Sequence, residues 1–532
     1  METPSILIIT EKKNTSQSSD HQAEAVSNVI RANGVHVDIL ALEGAMLNDV
    51  PGNLSGYDIV HISDSYHQPE IRGVISAVKQ QGAQKVSISL HDEVSKINDL
   101  LENTDILFIY ERHDFPVESP MVQKWDLTGK VLYQLNSDSD LRVFQGGYGC
   151  SISSPGLSPQ RNLQQRELFE GTILAHLLDG AHPQMAARYA LHAVQNPVNK
   201  GELPSIALSP EFLPLDDRVA INHTQVEQVA HVIRMMPEAQ PFDYASDRHP
   251  SIGHLHAVDY FFATTLQQFG FWVDDGNKYI HPMIAALGGD QLKGSAYMAH
   301  AFYRLIDTSP HFYATAYQAQ LKRDEFLSVM RSDNGDDPLP AIDLHVAAAN
   351  HYGQDMLGLG WTPHGILEIA NRSENPLDTF IHMLDMVGGY KEDPLRKKSN
   401  LLAMILSQRP ERFLRRVDGQ SILPVVDYHC MRACLRLGLI DILDDNLHNR
   451  LVNRELVTPD QEWAVRFSAY QIQKMVEEIS GKSIGVVDWF FFNYMRSRCY
   501  EMTPPECHRC AADPVCLHRK AYFQPVLRTT HY

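Results

Sequence analysis

The sequence is short of the features that mark a membrane-spanning or secreted chain. None of its apolar runs reaches the ~18 residues of a transmembrane helix candidate, so no membrane span is expected. The opening Met1-Glu-Thr-Pro4 lacks the positive region and long apolar stretch of a signal peptide. It leads into Ile6-Leu-Ile-Ile9, which reads as a first β-strand. Basic residues are scarce, with 46 Lys and Arg against 65 Asp and Glu and a formal net charge of −19. That balance disfavours a broad duplex nucleic-acid surface, which needs a basic face, but leaves room for a small basic pocket around one phosphate. Cysteine is sparse as well. Seven cysteines, an odd number without a secretory signal, point away from a disulfide framework and toward a cytoplasmic protein with a metal site. There is also no internal repeat of about 20–50 residues and no low-complexity tract.

What is present falls into two rhythms, as expected for 532 residues, well past the ~250–300 at which one core stops growing. Residues 1–198 alternate strand-like segments (Ser5–Thr10, Val35–Leu42, Ile59–Ser63, Lys85–Leu90, Asp105–Tyr110, Val131–Leu135) with amphipathic stretches such as Gln22–Ala32 and Glu70–Gln81. That alternation predicts a mostly parallel α/β sheet, closed by helices at Leu163–Leu178 and Pro183–Val194. Residues 199–217, with Pro204, Pro210 and Pro214, read as a linker. Residues 218–498 follow 3.6-residue periodicity with few strand signals and predict an all-α domain. Its expected helices are Val226–Met235, His256–Gln268, Gln291–Ile306, Leu377–Met386, Asn400–Leu406, Cys430–Leu437 and Glu462–Ile479.

Residues 499–532 hold four of the cysteines in the pattern C-x7-C-x2-C-x5-C: Cys499, Cys507, Cys510 and Cys516. Four thiolates on a short loop suit a [4Fe–4S] cluster. Zinc is the alternative, although four-cysteine zinc sites usually present two close pairs and only Cys507 and Cys510 form one here. Arg496, Arg498, Arg509, Arg519, Lys520 and Arg528 surround the loop and outnumber Glu501, Glu506 and Asp513, which suits either phosphate contact or a solvated surface.

The segment Pro424-Val-Val-Asp427-Tyr-His-Cys-Met-Arg432-Ala-Cys-Leu-Arg-Leu-Gly438 reads as a buried amphipathic helix with Asp427 at its start and Gly438 near its end. Free N–H groups and the helix dipole favour a charged carboxylate there, so Asp427 is either an N-cap alone or a poised anion. The order V-D-Y-H-x-x-R resembles the V-D-x-H-x-x-R segment of helix–hairpin–helix glycosylases, and the cysteine pattern resembles the iron–sulfur loop of their endonuclease III and adenine glycosylase group. The resemblance implies a helix–hairpin–helix fold, a structural [4Fe–4S] cluster, and Asp427 as the catalytic carboxylate that supports base–sugar cleavage. The family's Leu-Pro-Gly-x-Gly hairpin, which grips DNA phosphates, is replaced by Phe413–Pro424 with the single Gly419.

A second resemblance spans about residues 257–481. Phe269-Gly-Phe271-Trp272-Val-Asp274, Lys397-Lys398-Ser-Asn-Leu-Leu, Asp427-Tyr428 and Glu462-Trp-Ala-Val-Arg466 follow the order of motifs in the queuosine salvage family, which releases queuine from queuosine 5′-phosphate. It implies an N-glycosidase acting on a 7-deazaguanine-type nucleoside or its 5′-monophosphate; the alternatives are an iron–sulfur glycosylase on DNA or RNA bases and a non-catalytic nucleoside-binding or regulatory protein. Phe271 and Trp272 would stack on the base, Asp274 would bond polar groups, and Lys397 and Lys398 would hold phosphate or supply an amine. His429 joins them as a candidate site residue beside Asp427. Each also has a plain structural role: core packing for Phe271, Trp272 and His429, a turn for Asp274, a solvated face for the lysines.

In the first half, Asp58–Ser63, Lys85–Leu90, Leu101–Glu111 and Leu163–Ala190 resemble the latter part of a ribokinase-like carbohydrate kinase. That family's Gly-Ala-Gly-Asp helix start is replaced by Gln164-Gln-Arg-Glu167, so the resemblance implies a pseudokinase lobe without the backbone anion hole.

Overall fold

The computed structural model describes residues 5–11, 19–32, 35–42, 53–62, 68–90, 104–110, 130–135, 140–145, 148–153, 163–178, 181–195, 215–236, 240–245 and 249–532. The chain divides into two compact units, Met1–Leu213 and Pro214–Tyr532. Most of the expected linker, residues 199–214, lies outside the described residues, as does the 91–103 stretch that opens the kinase-like Leu101–Glu111 motif.

The first unit is the expected α/β lobe. Strands β1 (Ser5–Glu11), β2 (His36–Leu42), β3 (Ile59–Ile62), β4 (Val86–Leu90), β5 (Ile106–Tyr110), β6 (Val131–Leu135), β7 (Asp140–Gln145) and β8 (Tyr148–Ser153) form one sheet in the order β2-β1-β3-β4-β5-β6-β7-β8. Pairing is parallel from β2 through β6 and antiparallel from β6 to β8. The period of two along each strand sends alternate apolar residues to opposite faces. Ile6 and Ile8 join a core with α1 (Ser19–Ala32), α3 (Leu163–Leu178) and α4 (Pro183–Gln195), whereas Leu7 and Ile9 join a second core with α2 (Gln68–Gln80). Helices on both faces explain why these strands are nearly all apolar. The antiparallel pair β7–β8 escaped the sequence reading because polar residues and Gly149 interrupt its alternation.

The second unit is mainly helical: α5 (His223–Met235), α6 (Ala257–Thr265), α7 (Ser295–Tyr303), α8 (Thr315–Gln318), α9 (Arg323–Met330), α10 (Ile342–Gly358), α11 (Pro363–Arg372), α12 (Pro376–Leu384), α13 (Lys397–Gln408), α14 (Tyr428–Leu437), α15 (Asp445–Asn453), α16 (Pro459–Ser480) and α17 (Ile484–Asp488). It is not all-α. Two-stranded ribbons pair β10 (Trp272–Asp274) with β11 (Tyr279–Pro282), β12 (Ile284–Leu287) with β13 (Asp290–Lys293), and β9 (Val219–Ile221) with β14 (Ile440–Ile442). These strands are three or four residues long, too short for a period to register in the sequence. They also shorten the expected helix Gln291–Ile306, whose first residues belong to β13. The helices flanking the hairpin position, α13 and α14, are joined by residues 409–427, which form no helix.

Gly171 of α3 sits where α1 crosses closely; a Cβ built on it would lie 2.8 Å from Val29 Cβ and 3.1 Å from the Val26 carbonyl. Both neighbours belong to packed helix, so they yield little. Gly171→Ala is expected to destabilise the first unit by about 1–3 kcal/mol, the usual cost of overpacking, read from chemical denaturation.

Candidate active site and cysteine cluster

Within the second unit, α6, α7, α13, the start of α14, the end of α17, Phe242, Asp243, Tyr244 and His249 enclose a cavity of about 520 Å³. Its wall is largely aromatic, with Phe242, Tyr244, Phe261, Phe271, Tyr428 and Phe492, and the size falls within the usual range for a small-molecule site. Arg409, fully buried at the end of α13, donates to the carbonyls of Tyr244 and Pro250 while pairing with Glu411 at 2.6 Å.

Asp427 is at the cavity wall as the N-cap of α14. Its Oδ1 accepts from the backbone N–H of His429 at 2.8 Å and of Cys430 at 3.0 Å. The cap and the place at the cavity wall therefore coincide in one carboxylate, and the two N–H groups occupy only one of its oxygens. His429 also lines the cavity, and its Nδ1 accepts from Arg432 Nη2 at 2.8 Å. An arginine has no acceptor, so the neutral imidazole carries its proton on Nε2. Burial and the charge of Arg432 keep the ring neutral, holding its pKa well below that of a free histidine.

The two lysines part ways. Lys397 reaches the cavity, where Nζ donates to the Gln268 carbonyl at 3.2 Å; burial lowers its pKa, while the charges of Asp427, Asp488 and Asp393 pull the other way. Lys398, one residue along the helix, points elsewhere. Its Nζ donates to the Leu266 carbonyl and lies 5.2 Å from the centre of the Phe269 ring, and burial brings its pKa down to about 8. Lys398 is thus a core residue and lines no part of the cavity.

The aromatic pair divides likewise. Phe271 lines the cavity from a tight turn, in which Trp272 N donates to the Gly270 carbonyl at 2.9 Å, whereas Trp272 starts β10 and faces away from the cavity. Trp272 packs with Tyr279, Phe523 and Val526, with Arg528 stacked 3.8 Å over its ring. Asp274 accepts from Gly276 N at 3.0 Å in a turn and pairs with Arg528, so it too is outside the cavity. Both were expected to contact substrate; strand geometry assigns them to structure.

Three cavity residues were not singled out for it in the sequence. Asp488, Phe492 and Arg496 recur every fourth residue where α17 passes into the wider turns of a π-helix, Trp489–Tyr494, so that all three line one wall. Asp488 is 4% exposed. Burial first, then the charge of Asp427, pushes its pKa up to about 8 against the pull of Lys397. Arg496 lies 4.6 Å over the Phe492 ring, and among the described residues no carboxylate pairs with it. The four-residue spacing was legible in Asp488-Trp-Phe-Phe-Phe492-Asn-Tyr-Met-Arg496, but its apolar filling looked like core.

The four late cysteines gather with one another, and none of them lines the cavity. Cys516 feels the charges of Cys499, Cys510 and Cys507, each thiol is partly exposed, and none is in a disulfide. Burial, then neighbouring thiols, raise the pKa of Cys516, the penalty a bound cation removes. Arg436 Nη1 lies 3.5 Å from Cys499 Sγ, and His518 N donates to Cys516 Sγ at 3.3 Å, so donors stand ready for thiolates. Ligand atoms of Cys507, Asp513 and His518 also lie within 4.8 Å of one another. This donor set fits a metal centre and by itself does not select iron–sulfur over zinc.

A buried ion pair holds the site together. Arg466 of α16 forks onto Asp393, Nη1 to Oδ1 at 2.8 Å and Nη2 to Oδ2 at 2.6 Å, with both side chains essentially unexposed. Arg466→Met leaves a buried carboxylate unpaired and is expected to cost about 3–5 kcal/mol of stability. Asp393→Asn added to it should recover part of that loss, measured by urea unfolding followed through tryptophan fluorescence.

No protein-family model matches the chain, and no curated protein sequence matches it. Among solved structures it is similar to the pyridoxal kinase of Bacillus subtilis (10% identity, TM-score 0.28, covering 38% of this chain and 95% of that one). It is also similar to the pyridoxal kinase of Staphylococcus aureus in complex with pyridoxal (12%, 0.29, 38% and 90%). The ribokinase of Arabidopsis thaliana complexed with ribose and ATP is a third (16%, 0.25, 38% and 96%). Likenesses of this strength bear on neither reaction nor ligand. The α/β lobe stands on its own sheet topology.

Proposed function

We propose that the second unit is an N-glycosidase that hydrolyses the base–sugar bond of a 7-deazaguanine-type nucleoside or its 5′-monophosphate. One observation carries the reading: Asp427 is held by two N–H groups of its own helix at the wall of an aromatic cavity of nucleoside size. As the C1′–N bond breaks, positive charge grows on the sugar, and a fixed carboxylate stabilises it or orients the attacking water. Phe271 and Phe492 offer flat faces for the base, and the His429 Nε2–H offers a donor. The cations available for a 5′-phosphate are Lys397 and Arg496, not Lys398.

In the same reading the four thiols hold a [4Fe–4S] cluster, with zinc as the alternative; when bound it braces the loop and takes no part in the chemistry. A base within a nucleic acid is the weaker reading. Of the arginines around the loop, Arg509, Arg519 and Arg528 are already paired with Glu506, Asp441 and Asp274.

Asparagine is as good an N-cap as aspartate, so Asp427→Asn should leave the melting temperature nearly unchanged. It should lower base release by about 10²–10⁴-fold, followed by mass spectrometry on a panel of deazaguanine and ordinary nucleosides and their 5′-phosphates. Turnover retained in this variant removes the assignment. Anaerobic purification should yield about four iron atoms per chain, lost when Cys507 and Cys510 are both replaced by Ser; a colourless protein containing zinc decides for the alternative.

A further inference from the structure

The cavity holds a second carboxyl group that the proposed reaction has not yet used. Asp488 closes α17 at the cavity wall, next to the start of α14: the ring of Phe492, one turn on, meets the ring of His429 with centroids 5.6 Å apart. The charged and titratable groups facing it come from each surrounding element. They are Lys397 of α13, Asp427 at the start of α14 with Cys430 one turn in, and Tyr244.

The two carboxyl groups differ in their partners. Asp427 accepts two backbone N–H bonds, whereas among the described residues no hydrogen bond reaches the carboxyl of Asp488. Two neighbouring carboxyls in one buried site do not both ionise readily. The proton settles on the one without N–H donors. The upward shift of Asp488, caused by burial and then by Asp427, agrees with that division.

We propose that Asp488 is the acid that protonates the departing base. The inference rests on the N-glycosidase reading above and adds a catalytic residue to it. As the C1′–N bond breaks, its electron pair leaves with the base, and the Asp488 proton moves to a ring nitrogen or oxygen of that base. Water then adds to C1′, and the proton it loses returns to the Asp488 carboxylate, so base and free sugar leave with the acid restored. Such a pair, one carboxyl protonated and one ionised, suits a reaction that must neutralise a leaving group and a developing cation together.

The test compares leaving groups. Wild type, Asp488→Asn and Asp427→Asn are assayed on 7-deazaguanosine and on p-nitrophenyl β-D-ribofuranoside, each with and without a 5′-phosphate. p-Nitrophenolate departs without a proton. Asp488→Asn is expected to lose about 10²–10⁴-fold in kcat/KM on the nucleoside and under tenfold on the p-nitrophenyl substrate, while Asp427→Asn loses heavily on both. Wild-type nucleoside cleavage should fall as pH rises through about 8, where Asp488 loses its proton, and that limb should vanish in Asp488→Asn.

A stability readout checks the proton without activity. Between the ordinary aspartate value of 3.8 and about 8 the folded protein keeps a proton on Asp488 that the unfolded chain has released, so stability falls with rising pH. The melting-temperature advantage of Asp488→Asn over wild type should therefore widen from pH 4 to pH 8. Equal losses on both substrates, or full nucleoside activity in Asp488→Asn, overturn the proposal while leaving the N-glycosidase reading intact. A wild type that cleaves neither substrate overturns both.

Discussion

The buried Asp393–Arg466 pair is the constraint on which the candidate site depends. Burial alone would push the Asp393 pKa up, but the Arg466 guanidinium outweighs it and holds the carboxyl charged. The same carboxylate accepts from the backbone N–H of Lys397 at 2.8 Å and of Leu395 at 3.1 Å, so it sets where α13 begins and where Lys397 enters the cavity. From the other side, Arg466 Nε donates to the carbonyl of Val426, the residue before Asp427. One ion pair thus sets both helix starts that frame the site. A hydrophobic pair of equal volume could match its stability, but not its direction.

Helix α14 extends that order to the cysteine loop. Its N-terminus carries Asp427 and His429 at the cavity, and further along Arg432 and Arg436 reach the segment around Cys499. Arg436 donates to the Tyr500 carbonyl at 2.7 Å, and Arg432 donates to Gln524 at 2.6 Å, which in turn donates to Glu501. Glu501 also accepts from the Tyr279 hydroxyl at 2.5 Å and pairs with Lys293, which fastens the loop to the β-ribbons. Arg432, Arg436, Lys293 and Glu501 are each at least partly buried and each has a partner, as low-dielectric surroundings require. Glu501 of the loop is thereby linked to His429 through three contacts, by way of Gln524 and Arg432.

Legibility in the sequence followed length and period. Strands β1 to β6 and helices such as Leu163–Leu178 emerged because each repeats its period enough times to be unambiguous. The short ribbons did not, and that cost the assignment of Trp272 and Asp274. Read as one apolar aromatic motif, Phe271 and Trp272 look equivalent; the turn at Phe271, just before β10 begins, sends them to different surroundings. Lys397 and Lys398 separate because adjacent residues on a helix point about 100° apart. Asp488 and Arg496 were hidden because their companions are apolar, and a cavity wall and a core wall are written in the same residues.

The sequence by itself determined which chemistry the chain carries: an alternating α/β half, a carboxylate at a helix start, and four cysteines in a tight pattern. Those are local properties, decided by periodicity, by capping and by spacing. Only the tertiary structure decided which side chains share a cavity. Lys397, Asp427 and Asp488 are far apart along the chain, and their common environment exists only after α13, α14 and α17 have packed. Burial and the charge of Asp427 then push the pKa of Asp488 up, while Asp427 accepts two backbone N–H bonds, a distinction no linear pattern encodes.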